Sequence, residues 1–209
     1  MSRPTKQYPE RGDARKRLLE AARDIIRQKG FTATTVDDLC KAAGVTKGAY
    51  FHHFESKEAL GVAAADFWAE TTSSLFEAAP YHTPDAPLER VLAYVAFRKA
   101  IITGGLAEFT CLVGTMAQET FESHPAIRDA CASSILEHAA TLEPDIEAAI
   151  LSKGIIPQGW TARSLALHTQ AVLQGAFILA KATGDLEVAR ESVDHLQRYI
   201  ELLFNRTPS

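Results

Sequence analysis

Between Thr35 and Phe54 the chain reads TVDDLCKAAGVTKGAYFHHF. A Thr followed by an apolar-periodic run with Asp in its first turn is a helix start. Leu39, Ala42 and Val45 are spaced to pack inward. Gly44 supplies the positive φ of a sharp turn, and Thr46 caps a second, shorter helix. This is the anatomy of a helix-turn-helix, whose second helix enters the DNA major groove by its N-terminal residues. The outward face of that helix carries Lys47, His52 and Phe51.

The rest of the chain is also helical in pattern, with no alternating strand signal and no internal repeat. Leu18, Leu19, Ala22, Ile25 and Ile26 form one stripe on a helix from about 13 to 29, with Asp13 as N-cap and Gly30 as its stop. Phe31 then returns to the core. Ser56 caps a helix running from Lys57 to about Ala78. The stretch from Pro80 to Pro87 is a break. Beyond it the pattern predicts helices over 87–103, 107–122 and 125–152, with Pro144 kinking or splitting the last. A loop spans 154–159, and two more helices, 160–183 and 186–204, meet at Gly184-Asp185. The fold class is all-α: an N-terminal three-helix helix-turn-helix domain and a C-terminal helical domain, the second given to ligand binding and dimerisation only by the resemblance of the first to a known family. The expected division is 1–58, with 1–12 a flexible basic arm, and 59–209.

The overall net charge of −4 conceals a polarity: residues 1–58 sum to +4 and residues 59–209 to −8. A basic head on an acidic body suits an anionic partner at the head, nucleic acid above all, although chance surface charge produces the same tally. Cys40, Cys111 and Cys131 are odd in number and widely spaced, which argues against disulfide and zinc frameworks and fits a reducing compartment. There is no signal-peptide pattern at the start and no run of about 20 apolar residues to cross a membrane, so a soluble, cytoplasmic protein is expected.

From about Arg15 to Leu60 the chain resembles the DNA-binding domain of the TetR family of transcriptional regulators. The resemblance is carried by Lys29-Gly30-Phe31, Thr34 to Leu39, Ala42 to Gly48, Tyr50-Phe51-His52-His53-Phe54 and Ser56 to Leu60. It implies a phosphate contact by the hydroxyl and N–H of Thr35, and places Thr46, Lys47 and Gly48 at the groove-facing start of the reading helix. It puts His53 at a frequent family histidine and Lys57 at a phosphate-binding lysine. Phe51 departs from the usual Tyr, so it lacks the phenolic hydroxyl that would bond a phosphate; contact with sugar or a thymine methyl is what remains to it. His52 and His53 are either DNA contacts or a neutral surface pair. Arg3, Lys6, Arg11, Arg15, Lys16 and Arg17 precede the core as either a solvated tail or an arm attracted to phosphate.

The resemblance further implies a palindromic double-stranded operator, a homodimer and an unidentified small-molecule inducer, with no cofactor, metal or membrane partner. Tyr94, Phe97, Arg98, Phe109, Cys111 and Met116 are candidate pocket residues, an apolar wall with a few polar groups; the same stripe also reads as plain core. Cys111 to Glu119 resembles a stretch in a branch of the family in which some repressors sense electrophiles through cysteine. No lysine or arginine adjoins Cys111 in sequence to activate it. For the dimer face the candidates are Leu165, Val172, Ala176, Leu179, Leu196, Ile200 and Leu203, stripes that could equally pack within one chain.

No enzyme signature accompanies these features: HExxH, GxSxG, phosphate loops and Glu-x-x-His pairs are all missing from the sequence. The two rivals to an inducer-released repressor are a cysteine-based redox or electrophile sensor and a DNA-binding regulator that needs no ligand.

Overall fold

The structure, a computed structural model, describes residues 11–205. The elements are α1 (Arg11–Lys29), α2 (Val36–Ala43), α3 (Lys47–His53), α4 (Lys57–Glu77), a 3₁₀ turn (Pro80–His82), α5 (Pro87–Ala100), α6 (Leu106–Phe109), α7 (Leu112–Thr120), α8 (Pro125–Ala140), α9 (Glu143–Lys153), α10 (Ala162–Thr183) and α11 (Leu186–Leu203). No strand occurs among the described residues.

Local signals set the first half. Thr35 and Asp38 make a reciprocal capping box on α2, while Thr46 and Ser56 accept from the N–H groups of Ala49 and Ala59 to start α3 and α4. Gly44 closes α2 in the left-handed region (φ +62°), its N–H and that of Val45 turning back to the carbonyls of the last turn. Two helix expectations shift. Asp13 is not an N-cap, because α1 already runs from Arg11. Ala42 is exposed; the inward positions of α2 are Leu39, Cys40 and Ala43. Arg15, Lys16 and Arg17 belong to α1 rather than to a pre-helical tail: the Arg15 guanidinium stacks over Phe54 and Arg17 donates to the Ala43 carbonyl.

The region expected as one helix over 107–122 is two. Arg27 donates through Nε to the carbonyl of Thr110 at 2.7 Å, taking the acceptor that the Gly114 N–H would use in a continuous helix. Gly114 turns instead to the Cys111 sulfur at 3.4 Å, so Cys111 becomes the N-cap of α7. The helix expected over 125–152 divides at Thr141-Leu142 with Pro144 in the first turn of α9, the split that proline favours.

Two apolar cores result. One joins Leu18, Ala22, Ile26, Leu39, Tyr50, Phe54 and Leu60 with Leu112, Met116, Ile127 and Cys131 from α7 and α8. The other joins α5, α9, α10 and α11. The first core therefore runs past residue 58 and recruits the body. Gly61 tightens this join: a Cβ there would sit 2.7 Å from the Ile127 side chain and 2.9 Å from the Phe31 ring, so any side chain would force those two to shift.

Leu39, fully buried at the centre of the first core, is the residue whose loss should be felt most directly there. Leu39→Ala should cost about 2–5 kcal/mol, measured as a lowered urea midpoint with an unchanged denaturant slope.

Candidate DNA interface and ligand cavity

The reading head presents α3 on its surface. Lys47, Gly48 and His52 are exposed, and Phe51 leaves 56% of its surface in solvent, an unusual exposure for so apolar a ring. His53 is half-buried beside Phe54. Tyr50 points the other way: it is fully buried, donates its hydroxyl to the Ser56 carbonyl, and has its pKa pushed up to about 12 by burial. It cannot stand in for the hydroxyl that Phe51 lacks.

Several of these groups are already engaged. The N–H and the hydroxyl of Thr35 both donate to Asp38, at 2.9 and 2.7 Å, so a phosphate reaching Thr35 must displace that carboxylate. Asp38 also takes Lys29 at 2.7 Å; that bond, with those from Thr35, holds its pKa well below the usual carboxylate range. Lys47 pairs with Asp37 at 2.7 Å, with both partners more than 60% exposed, so the pair is weak and exchangeable. Lys57 lies 4.4 Å over the Phe31 ring and donates to the Thr32 carbonyl; burial pushes its pKa down. The Thr46 hydroxyl oxygen is committed as a cap. Arg3, Lys6 and the side chain of Arg11 lie outside the described residues.

Behind the head, a cavity of about 170 Å³ opens between α1, α4, α5, α6, α8 and α10. Three of the expected pocket residues, Arg98, Phe109 and Cys111, line it. Tyr94 sits just behind the wall, and its hydroxyl is the hub of a polar cluster: it receives bonds from Arg98 (3.0 Å) and Gln170 (3.1 Å) and meets His138 Nε2 at 2.9 Å. Phe97 packs on Phe76 and Tyr81 outside the cavity. Met116 is fully buried in the first core and does not reach it. Sequence reasoning missed Arg27, Trp68, Phe76, His138, Gln170 and Phe177, which come from helices far apart in the chain. Burial, then the charge of Arg98, pushes the His138 pKa down to about 4, so the ring is neutral at pH 7. Burial also lowers Arg27 to about 10, still cationic, with its guanidinium stacked on Trp68.

Cys111 is half-exposed and shared by this cavity and a second, of about 200 Å³, that is also lined by Lys181. The cations missing from its sequence neighbourhood arrive in space: Arg27 lines the first cavity with it and Lys181 the second. Cys131 and Cys40 are buried, and desolvation raises both thiols, Cys131 to about 12.

Of the expected dimer residues, Leu165, Ala176, Leu196 and Ile200 are buried in the protomer's own second core and have almost no surface to offer a partner. Val172 and Leu203 are half-buried against it. Leu179 is 50% exposed, and it shares the outer surface of α10 and α11 with Ile178, Tyr199 and Leu202. The His168 ring, 5.1 Å from that of Tyr199, sets the two helix faces side by side. The burial pattern thus rotates the free apolar face away from the stripe read from sequence.

Comparison with known proteins places these features in context. Residues 18–64 match the family described as bacterial regulatory proteins, tetR family, and residues 87–196 match the tetracyclin repressor-like C-terminal domain. The chain is 28% identical over 111 residues to the transcriptional regulator AcuR of Cereibacter sphaeroides, covering 53% of this chain and 51% of that protein. It is 45% identical over 51 residues to the transcriptional repressor NemR of Escherichia coli, covering 24% of this chain and 26% of that one. These alignments span about half or less of the curated relatives. Among solved structures, a TetR-family regulator from Agrobacterium tumefaciens superposes with a TM-score of 0.79 at 19% identity, over 91% of this chain and 98% of that one. The reduced form of E. coli NemR gives 0.73 at 25% identity, over 88% and 95%. With the head matched and over half of the chain covered by the C-terminal match alone, the protein belongs to the TetR family of DNA-binding transcriptional regulators.

Proposed function

We propose that this protein is a dimeric repressor that leaves a palindromic operator when a small molecule occupies the cavity behind its reading head. The observation that carries this reading is the make-up of the cavity wall. Arg27 of α1 and Trp68, Thr72 and Phe76 of α4 face the same space as residues of α5, α8 and α10. A guest that spreads or closes this wall acts directly on the two helices that orient α3. In a two-fold dimer, a small change in the tilt of α4 resets the spacing of the two reading helices. Operator half-sites lie about 34–36 Å apart, so misplaced heads lose contacts. Coupling of about 1–3 kcal/mol suffices for such a switch.

In this reading Lys47, Gly48, Phe51 and His52 meet the groove, with Thr35, Thr46, His53 and Lys57 along its phosphate edges. The dimer forms through the outward apolar strip of α10 and α11, in an isologous contact. The division into a DNA-binding head (1–58) and a body (59–209) is retained as a functional one, although the first core crosses it.

A second reading is favoured by one observation. The Cys111 thiol lies between the two cavities with Arg27 and Lys181 close by, and modification there would disturb the α6–α7 junction that Arg27 holds. Under it, an electrophile would release wild-type protein from DNA and leave Cys111→Ser bound.

The direct test of the first reading is a mobility shift on the intergenic DNA flanking the gene, with salt titration. Specific binding that weakens steeply with salt, and that falls when a cavity ligand is added, is expected; equal operator affinity with and without bound ligand would sink it. Lys47→Ala should weaken operator binding and reduce the salt slope by about 1, while gel filtration still shows the dimer. Leu179→Glu combined with Leu202→Glu should yield monomers by sedimentation and abolish tight operator binding; a persistent dimer would move the interface elsewhere.

A further inference from the structure

The cavity holds two arginines and no ion pair for either. Arg98 is only 8% exposed, and its nearest polar partners are the Tyr94 hydroxyl and the His138 ring, the latter neutral at pH 7. Its Nε is buried and bonded to nothing. No carboxylate lies within 4 Å of Arg98 or Arg27 among the described residues. Glu108, the acidic residue in the wall, accepts the Gly105 N–H through Oε2 at 2.7 Å and, like Asp24, acts on Arg27 only through space, so Arg98 is the cation left without a carboxylate. The remaining titratable groups that face the space are His138, neutral, and Cys111. A buried guanidinium without a counter-charge is costly, and native structures rarely leave a buried N–H unpaired.

We infer that the cavity is built for a small organic carboxylate, whose anionic end is received by Arg98 beside His138 and Gln170 and whose apolar body lies among Trp68, Phe76, Phe109 and Phe177. The inference rests on the proposed inducer site and specifies what enters it. A planar fork of N–H donors matches a carboxylate in geometry as well as in charge. The volume, about 170 Å³, suits a guest near the size of a benzene ring. Arg27, stacked on Trp68 at the opposite edge, adds a second positive charge and belongs to α1, so the anion would pull on the head itself.

Benzoate and benzamide share size and ring and differ in charge, which makes them the probes. Calorimetry and thermal unfolding of the full-length protein should show benzoate binding and raising Tm, with benzamide far weaker. Arg98→Met should weaken benzoate binding by about ten- to a hundredfold. Arg98→Lys, which keeps the charge and loses the fork, should fall between. The ligand-free Tm gives an independent readout. Removing an uncompensated buried charge while keeping a stem of similar length should leave the Tm of Arg98→Met at or above wild type; a merely structural arginine would lower it. Equal binding of benzamide, undiminished benzoate binding by Arg98→Met, or no binding of benzoate at millimolar concentration would each overturn the inference. If neutral molecules then released operator, the repressor reading would stand without it. If benzoate bound at Arg98 and operator affinity did not change, the carboxylate site would stand and the inducer role would fall.

Discussion

The Arg27 guanidinium leaves water almost entirely to donate to a single main-chain carbonyl, that of Thr110, 83 residues away in sequence. Desolvating a cation is expensive, and the hydrogen bond together with the Trp68 face recovers part of the loss. What the contact secures is geometric. It breaks the helix at Thr110, frees Cys111 to cap α7, and lets α7 lie along α1 so that Leu112 and Met116 join the core of the reading head. Without that break, a straight helix over 107–122 could not both wall the cavity and complete the first core. The head is thus not a separate bead on a linker, since its interior is finished by residues of the body.

The division between what could be read in advance and what could not follows the range of the interactions. Caps and stops are local. Thr35, Thr46 and Ser56 each satisfy an N–H three residues on, and Gly30 and Gly44 take positive φ, so the helix-turn-helix was legible almost residue by residue. The break at Thr110 was not, because its cause is a side chain on α1. The polar cluster of Tyr94, Arg98, His138 and Gln170 is assembled from three helices, and only its α5 members could be singled out. The outer face of α10 failed for another reason. That helix carries apolar residues around much of its circumference, Leu173 and Phe177 inward and Ile178 and Leu179 outward, so periodicity alone could not say which stripe meets its own core.

Positional expectations in the head fared differently from chemical ones. Lys47 and Gly48, groove-facing by the resemblance, are exposed, as is His52 on the same helix, yet the donors of Thr35 are turned inward to Asp38. A capping box and a phosphate contact call on the same atoms. A motif match identifies the residue and leaves open which partner holds it in the absence of DNA.

That competition has a consequence for how the protein spends its time on a chromosome. Lys29 and Lys47, two cations on the surface of the head, each carry their own carboxylate in Asp38 and Asp37. A surface that neutralises itself releases fewer counterions when it touches arbitrary duplex, and counterion release is the main source of sequence-independent affinity. Under the proposed reading, such a head would loiter less on bulk DNA and leave a larger share of the protein free to sample new sites. Under the proposed reading, both carboxylates are exchangeable partners that a DNA phosphate displaces before either lysine can bond it, which exchanges raw stickiness for discrimination.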